Sequence, residues 1–129
     1  METFQMPRSF FAALLLAAAL PVAAQSTTTF EQANAKAEAQ WAEKQAATAK
    51  YADSWAAFNN AHHLDERDGC YVKAEGELTQ VLELDASGKV VGYFTDRDNG
   101  RSQCWRLTYM GVTFPKPPFA PYWHKLVMH

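Results

Sequence analysis

The chain has 129 residues, a formal net charge of −2, 48% hydrophobic residues and 13% aromatics. That aromatic content excludes a disordered tail, and a charge so close to zero excludes an electrostatic nucleic-acid binder, which needs a clear basic excess. The length fits one domain.

Residues 1–24 carry the three parts of a secretory signal peptide. Arg8 sits in a short n-region, an apolar run covers 10–20, and Val22, Ala23 and Ala24 follow the break at Pro21. Cleavage is expected after Ala24, with Gln25 as the new N-terminus and a periplasmic or secreted location. Retention as a signal anchor is the alternative, although the run is shorter than the roughly 20 residues of a membrane span. Losing Glu2 and Arg8 together leaves the net charge unchanged. An exported chain meets an oxidising compartment, so Cys70 and Cys104, the only cysteines, predict one disulfide. Two buried free thiols are the alternative.

Residues 25–66 form an Ala-rich helical segment. Neither glycine nor proline occurs between 25 and 63, and alanine mixes there with Glu, Gln and Lys, which are strong helix formers. Thr27, Thr28 or Thr29 can cap the start, and Glu31 lies at the positive end of the helix dipole. Trp41, Thr48, Trp55 and His62 recur every seven residues, with Tyr51 and Phe58 flanking the row. The pattern predicts one long amphipathic helix. Tyr51, Trp55 and Phe58 are expected to pack on the rest of the domain. Pairing of the same stripe in a homodimer is the second reading, and residues 25–40 are expected as a mobile extension.

Residues 67–129 change character to short alternating runs between turn residues. From 77 to 84, Leu78, Leu82 and Leu84 share one face while Glu77, Thr79 and Glu83 share the other, a period of two that predicts a strand. Asp85-Ala86-Ser87-Gly88 is a turn, and 89–95 returns as the second strand of a hairpin. Asp98, Asn99 or Ser102 can cap a helix over 102–110 that Gly111 ends. Cys104, Leu107, Thr108 and Gly111 lie on one side of it, with Trp105 and Tyr109 beside them. A stiff Pro-rich stretch follows, and 122–128 has the β-formers of a third strand. The expected class is α+β: a long N-terminal helix, then β-β-α-β with a three-stranded antiparallel sheet and the helices on one face.

This order resembles the C-terminal domain of TonB-type energy transducers. The matching residues are Gly76-Glu77-Leu78-Thr79-Gln80-Val81-Leu82-Glu83-Leu84, Asp85-Ala86-Ser87-Gly88-Lys89-Val90, Asp98-Asn99-Gly100 and, most specifically, Phe114-Pro115-Lys116-Pro117-Pro118. The resemblance covers about residues 70–128. The Tyr-Pro that usually precedes the family's first strand is replaced by Gly69-Cys70-Tyr71-Val72, and the long Pro-rich linker is absent. The resemblance therefore implies a free-standing exported binding module without energy transduction. It would pair an extended segment of an envelope protein or peptide with its last strand. The partner-binding residues carried over are Tyr122, Trp123, His124, Lys125, Leu126 and Val127. The opposing expectation is that the aromatics among them complete a small core.

Other chemistry is poorly supported. His62 and His63 lie near Asp65, Glu66 and Asp68, but adjacent helical histidines point about 100° apart and no H-E-x-x-H occurs. Asp96, Asp98 and Gly100 have the wrong spacing for a calcium loop. G-x-S-x-G, the P-loop and G-x-G-x-x-G are all missing. No enzyme activity, metal or small-molecule cofactor is expected. The runner-up functions are a secreted inhibitor or effector acting through the loop 96–100, and a structural subunit assembling through 41–58.

Overall fold

A computed structural model describes residues 27–72 and 76–129; the expected signal peptide and its expected cleavage point lie outside them. Three strands, β1 (Leu78–Leu84), β2 (Val90–Thr95) and β3 (Tyr122–Met128), form an antiparallel sheet in the order β2-β1-β3. Two helices precede them, α1 (Phe30–Glu43) and α2 (Gln45–Ala61), and α3 (Gly100–Tyr109) lies between β2 and β3. The class is α+β, and no helix among the described residues is long and apolar enough to cross a membrane.

The leucine alternation in β1 places Leu78, Leu82 and Leu84 in the main core, each fully buried. Across the β1–β3 ladder Leu82 faces His124 and Leu84 faces Tyr122. Trp55 of α2 stacks on His124 at 4.1 Å and on Phe114 at 4.7 Å, and Tyr51 meets Tyr122 edge-on at 4.5 Å. Tyrosine hydroxyls fasten α2 to its surroundings. Tyr51 donates to the Pro115 carbonyl at 2.5 Å, Tyr122 to the Thr48 carbonyl at 3.2 Å, and Tyr109 to Asn59 at 3.2 Å. Burial raises the pKa of Tyr51 to about 12 and raises that of Tyr122 as well.

The helices do not lie on one face as the sequence suggested. Val81, on the face opposite the leucines, is fully buried with Ala33, Ala37 and Trp123, and Phe30 and Phe94 pack at the rim of this second cluster. Thus α1 covers one face of the sheet while α2 and α3 cover the other. The expected mobile extension over 25–40 is instead a packed helix from Phe30 onward, started by a Thr29–Gln32 capping box. The expected continuous helix is broken at Lys44, whose φ of −135° and ψ of 43° turn the chain around the β3 edge from one face to the other.

Residues Leu64–Val72 form a 3-10 segment that buries Leu64 and Cys70. Cys70 is disulfide-bonded to Cys104, which fixes this segment to α3. Asn99 caps α3, accepting from the Ser102 N–H at 2.9 Å while its own N–H donates to Ser102 Oγ at 2.9 Å. The helix starts two residues earlier than expected, and its buried side carries Arg101, Cys104, Trp105, Thr108 and Tyr109. Leu107, expected beside Cys104, is 81% exposed. Gly88 in the hairpin turn has φ +92°, and a Cβ there would collide with the Phe114 and Pro115 carbonyls.

Candidate functional site

An edge strand presents unpaired N–H and C=O groups, a template for another chain unless the protein covers it. Here β1 is central, so β2 and β3 are the edges. The β2 edge is covered by its own chain at Val90 and at the Tyr93 carbonyl. Val90 N–H donates to the Val112 carbonyl at 2.9 Å, Gly111 N–H to the Val90 carbonyl at 3.0 Å, and Arg106 Nη1 to the Tyr93 carbonyl at 3.4 Å.

The β3 edge is treated differently. The side chain of Gln40, 6% exposed, accepts from the Trp123 N–H at 2.8 Å through Oε1 and donates to the Trp123 carbonyl at 3.0 Å through Nε2. A carboxamide bonded in both directions to one residue's main chain reproduces what the peptide groups of a neighbouring strand would do. It also shows that the main chain of Trp123 points away from β1. Antiparallel ladders alternate inward- and outward-bonding residues, so Lys125 and Val127 point outward too. Among the described residues no main-chain partner beyond β1 reaches either one.

The edge lies at the floor of a groove of ≈ 440 Å³ between the two helices on either side of Lys44. Ala37, Glu38 and Trp41 of α1 form one wall, and Thr48 and Ala52 of α2 the other. Trp41 is 47% exposed and Val127 44%. Lys125 Nζ meets Glu38 Oε1 at 3.4 Å on the exposed rim, and Lys36 Nζ sits 4.9 Å from the centre of the Trp123 ring.

Five of the six residues carried over from the family resemblance line this groove: Tyr122, Trp123, His124, Lys125 and Val127. Leu126 does not; it packs half-buried against the main core. Tyr122 and Trp123 serve mainly as core on opposite faces, as the opposing expectation held for the aromatics. His124 is 7% exposed, and neither ring nitrogen has a hydrogen-bond partner among the described residues. Burial lowers its pKa from 6.5 to about 3, so the ring is neutral near pH 7. Sequence reasoning missed Ala37, Gln40, Trp41, Thr48 and Ala52 as parts of one surface. The seven-residue row that holds Trp41 and Thr48 was the only signal.

The other candidates engage in local contacts. His62 Nδ1 lies 2.9 Å from the Phe58 carbonyl and its ring stacks on Phe58 at 3.9 Å, while His63 meets Glu66 at 3.3 Å. In the loop 96–100, Asp96 accepts from the Thr79 N–H at 2.9 Å and Asn99 caps α3. In searches against known proteins, no family model, no curated protein and no solved structure matches the chain.

Proposed function

We propose that the chain is an exported protein-binding module that adds an extended segment of an envelope protein or peptide as a fourth strand beside β3. The reading joins the resemblance to TonB C-terminal domains with the asymmetry of the two sheet edges. The strand order β2-β1-β3 and the Phe114-Pro115-Lys116-Pro117-Pro118 element between α3 and β3 are compatible with that resemblance. One observation carries the proposal: a single side-chain amide, Gln40, holds the place of a strand at Trp123, and the edge beyond it opens into a groove. In strand addition, main-chain bonds supply affinity and side-chain pockets supply specificity. The leader peptide supplies the route to a periplasmic or secreted location.

Position 127 gives a clean test. Proline lacks an N–H and is tolerated where that group faces outward from an edge. Val127→Pro therefore removes one outward donor and keeps the β1 pairing, whereas proline at Leu126 would break the sheet itself. Random heptapeptides displayed on phage are selected on residues 25–129. An enriched peptide should bind Val127→Pro at least about tenfold more weakly, which corresponds to about 1.4 kcal/mol, while the variant still unfolds cooperatively. Equal binding by the folded variant overturns the proposal.

A further inference from the structure

Two residues with buried polar side chains, Thr48 and His124, line the groove. Thr48 and His124 are both more than nine-tenths buried. The Thr48 hydroxyl has no hydrogen-bond partner, and His124 makes none through either ring nitrogen among the described residues. Buried polar groups are nearly always satisfied, and an exception calls for a physical explanation. Both residues line the groove, with Ala52, one turn beyond Thr48, leaving space beside them. The opposite wall is apolar at Ala37 and Trp41, and its one charge, Glu38, is paired with Lys125 of β3.

We infer that the groove selects a segment with one uncharged hydrogen-bonding side chain, of the Ser, Thr, Asn or Gln class, seated against Thr48 and His124, and an apolar neighbour seated against Ala37 and Trp41. This rests on the strand-addition reading. Successive residues of a strand point to opposite faces. A strand beside β3 thus sends one residue toward the α2 wall and the next toward the α1 wall. A neutral imidazole offers one donor and one acceptor, and a threonine hydroxyl offers both. A hydroxyl or carboxamide, which can also do both, satisfies the pair. A carboxylate only accepts and an ammonium only donates, and each would be desolvated with no opposite charge on that wall.

The heptapeptide selection is repeated on wild type, Thr48→Val and His124→Phe. Wild type should enrich Ser, Thr, Asn or Gln at one fixed position, with an apolar residue next to it. Thr48→Val, which exchanges a hydroxyl for a methyl, should lose that enrichment. It should bind the wild-type peptide about tenfold more weakly and bind the peptide with Val at that position more tightly than wild type does. His124→Phe should lose the same enrichment. Peptides that depend on Val127 but carry an apolar or charged residue at the position overturn this inference and leave strand addition standing. Peptides indifferent to Val127→Pro, or no enrichment at all, overturn both.

Discussion

Gln40 sits in a run of helix formers, where its sequence neighbours give no reason to single it out. Its role appears only when α1 lies across the sheet and the carboxamide meets the main chain of Trp123, 83 residues away. His124 was legible as part of the last strand, but its neutral, stacked state depends on Trp55 arriving from α2. That state has a pH signature. The folded pKa of about 3 lies below the ordinary 6.5. Between those values the unfolded chain binds a proton that the folded chain does not. Stability therefore falls as pH drops through this window, with a slope from this residue of up to about 1.4 kcal/mol per pH unit, and the contribution is flat above it. Urea unfolding from pH 7 to pH 4 should show a shallower decline for His124→Phe than for wild type. Identical pH slopes would mean that the imidazole is not buried uncharged.

At the scale of elements, the strands were the most legible. The period-two leucines located β1, the residues Asp85 to Gly88 located the turn, and Tyr122–Met128 matched the expected third strand. The helix break was not legible, because neither glycine nor proline marks Lys44. It follows from packing: the chain has to round the β3 edge to cover both faces. Val81 was the overlooked clue, an apolar residue on the face otherwise read from Glu77, Thr79 and Glu83. Close approach of α1 to that face needs small residues, and Ala33 is fully buried there. Ala33→Leu should overfill the contact and cost about 1–3 kcal/mol in chemical denaturation. The same change in a mobile extension would cost nothing measurable.

At the scale of the molecule, a chain this small has limited core and gains from a covalent constraint. Cys70 and Cys104 are 34 positions apart, and closing a loop of that length restricts the unfolded chain by about 4 kcal/mol in the chain-entropy model. The Cys70→Ala/Cys104→Ala double variant should lose stability of that order, and wild type should match it once reduced. Equal stability with and without reductant would remove the disulfide from the account. The coarse α+β class and the five β3 residues that line the groove were within reach of sequence reasoning. The walls that turn an edge into a groove were not, since they depend on where two helices lie in space.

The central claim is that the outer edge of β3 beyond Gln40 receives a peptide strand. Amide hydrogen exchange of isotopically labelled protein, read residue by residue, tests it most directly. In the free protein the Trp123 amide should be protected by Gln40 while the Lys125 and Val127 amides exchange quickly. Saturation with the selected heptapeptide should slow Lys125 and Val127 by at least about tenfold, the effect of a newly formed main-chain hydrogen bond worth about 1.4 kcal/mol. Unchanged exchange at both amides in the saturated complex would contradict the account.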